Sequence, residues 1–190
     1  MTRSAEHPVR ILPSPFASIV ASACIALSAC ASLPMSSTPA TVDFIVVRHA
    51  EKETGAAVGQ DPALTPAGRA RAAAIAQALA DAPVAAVYST DYARTRETAL
   101  PTARAHGLEV VTYDAREPAE TLAARLRASH ATGTVLVVGR SNTVPAIAAA
   151  LCRCDVPAMD ETEYDRRLVV AIDADGNATL ASDRQPAATR

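Results

Sequence analysis

The stretch VDFIVVRH, residues 42–49, decides the fold. Its first six residues are largely β-branched and apolar, which is typical of a short buried strand, and the strand runs directly into Arg48 and His49. The stretch TVLVV at residues 134–138 repeats this pattern and is followed by Gly-Arg-Ser-Asn. Both strands therefore end next to polar or charged residues whose side chains are suited to catalysis or binding.

Strands and helices alternate around these two strands. Thr65 and Pro66 open a helix, with Thr as the N-cap and Pro at the first helical position. We also predict strands at 84–88 and 109–111, helices at 92–106 (capped by Asp91), 119–129 and 142–151, and a hairpin of strands 168–172 and 178–181. This alternation predicts an α/β three-layer sandwich, in which a mostly parallel central sheet has helices on both faces.

The first forty residues have a different character. Arg3 and Arg10 precede an apolar run at residues 16–29, which is the plan of a secretory signal peptide. The tetrapeptide LSAC, residues 27–30, resembles the lipobox of bacterial lipoproteins, and this resemblance implies cleavage before Cys30 and lipidation of that cysteine. We expect a signal peptide at 1–29, a tether at 30–41, one domain at 42–182 and a flexible tail at 183–190.

These features predict an exported protein that a lipid holds in the periplasm, at the outer membrane. A plain signal peptide, with Cys30 incidental, would instead give a soluble periplasmic protein. No run of 18 uninterrupted apolar residues occurs in the sequence, so a multispanning membrane protein is excluded and the lipid is the expected contact with a membrane.

Composition excludes several other classes. Lys and Arg total 18 against 20 Asp and Glu, which argues against a nucleic-acid binder of the basic-patch type. Apolar residues make up 49% of the chain, too many for general disorder. Four cysteines are too few for a disulfide framework, and Cys152 and Cys154 lack the further ligands of a zinc site.

Side chains suited to catalysis or anion binding occur at the ends of three predicted strands. Parallel sheets place their sites at the carboxyl ends of the strands, where we find Arg48 with His49, then Arg94, and finally Arg140. Guanidinium groups hold phosphoryl groups through paired hydrogen bonds, and a neutral imidazole is a nucleophile toward phosphorus. His49 inside an arginine clamp therefore suits phosphoryl transfer without a metal or other cofactor.

The helix predicted after the fourth strand would add to this site. Ser141 and Asn142 lie at its expected start, where backbone N–H groups and the positive end of the helix dipole bind anions. We therefore expect both residues to bind the substrate beside Arg140. The expected partner is a small phosphorylated molecule.

Three segments in order carry a family resemblance: VRHAEK at 47–52, LTPAGRA at 64–70 and STDYARTRETA at 89–99. Together they resemble the histidine phosphatase superfamily, the phosphoglycerate-mutase-like group, and the likeness extends over nearly all of residues 42–172. This resemblance implies that His49 is phosphorylated during the reaction and that Arg48 and Arg94 bind the phosphate.

One position departs from the family pattern. The segment GRSNT, residues 139–143, resembles a family segment that normally reads Gly-His, in which the second His belongs to the catalytic core. Arginine keeps the positive charge but cannot exchange a proton near neutral pH. The sequence therefore allows a weakened phosphatase, which we favour, a phosphate-binding pseudo-enzyme or scaffold without turnover, or a single change in an otherwise normal sequence. Mutase activity on a sugar phosphate of glycolysis fits export poorly.

The general acid for the leaving oxygen has several candidates. Glu51 lies two residues beyond the nucleophile, and Asp114, Glu117 and Glu120 follow the third strand. We favour Asp114 and Glu117, because their loop follows a strand end that faces the site. Phenolic or anhydride phosphates would need no dedicated acid.

Overall fold

The computed structural model describes residues 41–55 and 59–185. Along the chain the elements are β1 (Val42–Arg48), α1 (Pro66–Ala78), β2 (Val84–Ser89), α2 (Ala93–Ala105), β3 (Val110–Thr112), α3 (Ala119–Ser129), β4 (Gly133–Gly139), α4 (Val144–Cys152), β5 (Arg166–Ile172) and β6 (Ala178–Arg184). The six strands form one sheet in the order β3-β2-β4-β1-β5-β6.

The sheet is mostly parallel, which confirms the predicted fold class. Strands β1, β2, β3 and β4 run in the same direction, and only the hairpin of β5 and β6 adds antiparallel pairs. Arg48 of β1 is in register with Gly139 of β4, and Ser89 of β2 with Val138. The carboxyl ends of β1, β4 and β2 therefore meet at one edge of the sheet.

Helices cover both faces of the sheet. Successive residues of β1 point to opposite faces, so that Val46 packs with the α3 and α4 side chains Leu126 and Ile147, and Val47 packs with the α1 side chain Ile75. Full burial of an aliphatic side chain of this size contributes about 1.5–3 kcal/mol. The two apolar layers hold the strand ends in fixed positions.

The start of α1 packs against the loop that follows β1. The Thr65 hydroxyl accepts a hydrogen bond from the Gly68 N–H at 3.0 Å, as expected of an N-cap. A Cβ on Gly68 would lie 2.1 Å from the Glu51 carbonyl oxygen. The glycine of the LTPAG segment is therefore required by close contact between the helix and the backbone two residues after His49.

Helix α2 is capped differently from the prediction, which gave that role to Asp91. The helix begins at Ala93, and the Asp61 carboxylate accepts the Ala93 N–H at 3.0 Å. Asp91 is exposed and forms an ion pair with Arg96 instead, at 3.3 Å. A cap that comes from a distant loop leaves no local pattern in the sequence.

Helix α4 begins at Val144, two residues later than predicted, and this corrects the expectation of free N–H donors at its start. The N–H groups of Thr143 and Val144 both donate to the Arg140 carbonyl, at 3.0 and 2.9 Å. Pro145 has no N–H to offer. Residues 143–145, at the start of α4, therefore offer no free N–H group to an anion.

The remaining predictions concern the ends of the domain. Cys152 and Cys154, whose role the sequence left open, form a disulfide at the end of α4. Strand β6 continues to Arg184, beyond the expected domain end at residue 182, and Asp183 accepts two hydrogen bonds from Arg167 at 2.8 and 2.6 Å.

The predicted signal peptide, the tether and Cys30 lie outside the described residues. Among the residues that the structure describes, no helix has the length and apolar character needed to cross a bilayer.

Candidate active site

His49 lies directly after β1 and is almost completely buried, with 3% of its surface exposed. Its Nδ1 lies 2.8 Å from the Ala50 carbonyl oxygen, so Nδ1 carries the proton and Nε2 keeps its lone pair. Burial, together with the positive charges of Arg48 and Arg94, lowers the pKa of the imidazole from 6.5 to about 4, although the hydrogen bond to Ala50 acts in the opposite direction. His49 is therefore a neutral imidazole at physiological pH, as a nucleophile must be.

Thr98 ties the loop of His49 to α2. Its hydroxyl accepts the Ala50 N–H at 3.0 Å and donates to the Arg94 carbonyl at 2.7 Å. The threonine of the STDYARTRETA segment thus connects the backbone beside the nucleophile to the backbone of an arginine in the site.

Arg48 is buried and held by the loop that precedes β5. Its Nη1 donates to the carbonyls of Glu161 and Asp160 at 2.7 and 3.1 Å, with a longer contact to the Glu163 carbonyl at 3.3 Å. The guanidinium also stacks over the Tyr164 ring at 4.2 Å. The sequence assigned Arg48 to phosphate binding, but part of this side chain anchors the loop.

The guanidinium groups of Arg94 and Arg140 both lie close to the same aromatic ring. The Arg94 guanidinium lies 4.4 Å from the centroid of Tyr92, and that of Arg140 lies 5.5 Å from it. Arg94 also contacts Asp61 at 3.3 Å, whereas Arg140 forms no ion pair with any residue that the structure describes. Arg140 follows Gly139 at the end of β4, the strand that lies between β1 and β2 in the sheet.

The three arginines have one feature in common. The Nε atoms of Arg48, Arg94 and Arg140 are buried and have no hydrogen-bond partner among the described residues. A buried donor without an acceptor costs free energy, about 1–3 kcal/mol for each group. Three such donors at one sheet edge form a site that a multivalent anion would satisfy.

Ser141 and Asn142 differ from each other in their surroundings. Ser141 is buried, and its hydroxyl donates to the Glu161 carboxylate at 2.5 Å. Asn142 is exposed and, with Asp114, Glu117 and Thr143, lines a small cavity of about 100 Å³. The structure thus brings the two preferred acid candidates next to the turn after β4.

Two of the four acid candidates, Glu117 and Glu51, are ion-paired, and an ion-paired carboxylate does not suit a general acid. Glu117 accepts two hydrogen bonds from Arg125, at 3.0 and 2.8 Å, and Asp114 accepts the Arg116 N–H at 2.9 Å. Glu51 is ion-paired with Arg71, and this pair lowers the pKa of its carboxyl despite partial burial. Glu120 is exposed on the first turn of α3.

Sequence reasoning missed four residues of this region: Asp61, Tyr92, Glu161 and Tyr164. Tyr92 lies within the STDYARTRETA segment, so its position after β2 was a usable signal. Glu161 and Tyr164 lie more than 110 residues after Arg48, and no local pattern marks them.

Comparison with known families agrees with this geometry. The model of the histidine phosphatase superfamily (branch 1) matches residues 44–116, which contain β1, α1, β2, α2 and β3. This segment is similar in sequence to the histidine phosphatases. It includes His49, Arg48 and Arg94, and the match ends before Arg140.

Solved structures show the same fold. The protein histidine phosphatase SixA, complexed with tungstate, has a TM-score of 0.62 and 21% identity over 76% of this chain and 97% of its own. A mycobacterial glucosyl-3-phosphoglycerate phosphatase has a TM-score of 0.57 and 18% identity over 78% of this chain and 100% of its own. At these identities the likeness concerns the histidine phosphatase fold.

A curated relative is similar over a shorter region. The uncharacterized protein Rv0525 of Mycobacterium tuberculosis is 42% identical over 78 residues. This match covers 39% of the present chain and 39% of that protein, so the chain spans about two fifths of the length of the relative.

Proposed function

We propose that this chain is a phosphomonoester hydrolase that works through a phosphohistidine on His49. The observation that carries this proposal is the neutral, buried imidazole with its Nδ1 proton held by Ala50. Near it are three arginines whose Nε donors have no partner among the described residues. The family match over residues 44–116 supports it.

The first step transfers the phosphoryl group to the protein. Arg48, Arg94 and Arg140 bind the equatorial oxygens, and the lone pair of His49 Nε2 attacks phosphorus in line with the leaving oxygen. A P–N bond forms as the P–O bond breaks, and the leaving oxygen takes the bonding electrons and then a proton. Nδ1 remains protonated, so the hydrogen bond to the Ala50 carbonyl stabilises the positive charge that forms on the ring.

The second step releases phosphate. Water attacks the phosphohistidine, its oxygen bonds to phosphorus, the P–N electrons return to Nε2, and the proton of water passes to solvent. Because Glu117 and Glu51 are ion-paired, we infer that the chain acts on substrates whose leaving group needs little protonation. Phenolic and anhydride phosphates are of this kind, and so is the phosphoramidate of a phosphohistidine, the substrate type that the name of SixA indicates.

Arg140 supports a second candidate, a phosphate-binding protein without turnover. In the position where the family pattern has a second His, the chain has a permanent cation that forms no ion pair with the described residues. Such a cation binds substrate and product alike, and uniform binding does not accelerate the chemical step. We favour slow turnover, because the neutral nucleophile and the other two arginines are in place.

We also propose that the protein is exported and anchored by a lipid on Cys30. This proposal rests on the N-terminal sequence, in which the apolar run ends at LSAC. A phosphatase with that location acts on phosphorylated molecules of the periplasm.

Hydrolysis of an aryl phosphate tests the proposed function. We expect the wild type to release phosphate and to form an acid-labile phosphoprotein, and we expect both signals to disappear in His49→Ala. His130→Gln is the matched control, because His130 follows α3, contacts Tyr88 at 2.9 Å and has no role in this mechanism. Full activity in His49→Ala rejects the mechanism. Absence of turnover with intact phosphate binding in the wild type favours the second candidate.

A further inference from the structure

Glu161 contacts the phosphate donors of the site, but the mechanism gives it no role. Its Oε2 accepts a hydrogen bond from Arg48 Nη2 at 3.0 Å, and its Oε1 accepts one from the Ser141 hydroxyl at 2.5 Å. Arg48 is the last residue of β1 and Ser141 follows β4, so one carboxylate bridges two of the strand ends that form the site. Its negative charge and its paired oxygen acceptors are also the properties of a phosphoryl group.

The position of Arg48 does not depend on this carboxylate. Backbone carbonyls of Glu161 and Asp160 hold Nη1 at 2.7 and 3.1 Å, and the Tyr164 ring supports the guanidinium plane at 4.2 Å. The side chain of Arg48 is 2% exposed, whereas that of Glu161 is 78% exposed. The carboxylate can therefore leave toward solvent while the arginine stays in place.

We propose that the Glu161 carboxylate is an internal competitor for the phosphoryl site. This inference rests on the proposed function. An incoming phosphoryl group takes over Arg48 Nη2 and the Ser141 hydroxyl, and the Glu161 side chain rotates into solvent. After hydrolysis the carboxylate returns and helps to displace inorganic phosphate. A tethered group competes at an effective concentration of about 1 mM or more, so it limits the retention of a weakly bound product.

This role complements that of Arg140. The extra guanidinium strengthens the binding of every phosphate, including the product, whereas the competing carboxylate weakens the binding of every phosphate by a common factor. A substrate with further contacts outside the phosphoryl group still binds despite this competition. Free phosphate lacks those contacts, so less of it stays in the site at a given concentration.

Calorimetric titration of inorganic phosphate into the full-length protein tests the proposal. We expect Glu161→Gln to bind phosphate at least about tenfold more tightly than the wild type, because an amide is a poorer ligand for the guanidinium. Glu161→Asp keeps the charge but shortens the side chain by one methylene, and competition by direct contact predicts tighter binding in this variant too. Asp155→Asn removes one exposed charge from the same loop and controls for net charge, with an affinity within about twofold of the wild type.

The outcomes separate this inference from the proposed function. Unchanged or weaker phosphate binding in Glu161→Gln overturns the competition and leaves the phosphatase proposal intact, since the site still binds phosphate. If Glu161→Asp binds phosphate with wild-type affinity while Glu161→Gln binds it more tightly, the carboxylate acts through its charge and not by direct contact. This result also overturns the competition. Failure of all four proteins to bind phosphate overturns both proposals. Thermal unfolding of each variant confirms that the protein is folded, as expected for substitutions of exposed side chains.

Discussion

One backbone carbonyl sets the tautomer of His49, the proposed nucleophile. The Ala50 oxygen holds the Nδ1 proton of His49 at 2.8 Å, so the lone pair lies on Nε2. Ala50 is in turn positioned by the Thr98 hydroxyl, which accepts its N–H at 3.0 Å. The position of the Ala50 carbonyl, and with it the tautomer of His49, therefore depends on a side chain of α2 as well as on the end of β1.

We predict that activity extends to unusually low pH. The nucleophile must be neutral, and burial lowers the pKa of His49 from 6.5 to about 4. Because the pKa is lowered, protonation and loss of activity occur only as the pH falls through about 4. The acid limb of kcat/KM against pH checks this expectation, and a midpoint near 6.5 would contradict it.

Substitution of Arg140 by histidine should increase turnover. The permanent charge of Arg140 stabilises the ground state and the product, and a neutral imidazole would relieve this uniform binding. We expect kcat to rise at least about tenfold, equivalent to about 1.4 kcal/mol of barrier, and inhibition by inorganic phosphate to weaken. Initial rates on an aryl phosphate measure both effects. Arg104→His, on the exposed side of α2, is the control. A lower rate in Arg140→His would identify Arg140 as a working part of the site.

Among the secondary-structure elements, helix α1 has the least space for a larger side chain. Its first turn packs against the Glu51 carbonyl, two residues beyond the nucleophile, and Gly68 makes this approach possible. The Thr65 N–H donates to the same carbonyl at 2.9 Å. The helix therefore fixes the backbone that follows His49.

We predict that Gly68→Ala destabilises the domain. The new Cβ would lie 2.1 Å from the Glu51 oxygen, so α1 or the loop must move, at a cost of about 2–3 kcal/mol. The free energy of unfolding in urea measures this cost. Gly59→Ala is the matched control, since a Cβ there meets no atom within 4 Å, and its stability should stay within about 0.5 kcal/mol of the wild type. Equal stability of the two variants would show that the contact is not limiting.

Elements with local determinants could be predicted from the sequence, and those with distant determinants could not. The bounds of α3 match the prediction because its apolar stripe ends at polar residues on both sides. The start of α2 was misassigned because its cap, Asp61, lies 32 residues before Ala93. Helix α4 begins later than predicted because the N–H groups of Thr143 and Val144 donate to the Arg140 carbonyl in a turn.

At the scale of the whole molecule, parallel topology made the grouping of these residues predictable. Adjacent parallel strands end at the same edge, so Arg48 with His49, Arg94 and Arg140 could be assigned to one site from the strand pattern alone. The loop that holds Arg48 could not, because it lies between α4 and β5, more than 110 residues after Arg48 in the sequence. Contacts between residues far apart in the sequence depend on tertiary packing, and a local sequence pattern does not predict them.

The N-terminal sequence carries the prediction for location. If LSAC is a lipobox, the mature protein fractionates with membranes, and Cys30→Ser abolishes incorporation of a labelled fatty acid. Cys24→Ser, within the apolar run, is the matched control and should leave labelling intact. Recovery of the wild type as an unlabelled soluble periplasmic protein would contradict the prediction.

The stacking of guanidinium groups on tyrosine rings has a spectroscopic consequence. The chain has no tryptophan and four tyrosines, so its near-ultraviolet emission comes from tyrosine alone. Tyr92 lies against Arg94 and Arg140, and Tyr164 lies against Arg48, which places two of the four fluorophores beneath the cations of the site. Neutralising those cations changes the electric field at both rings. The protein therefore carries a label-free optical reporter of anion occupancy.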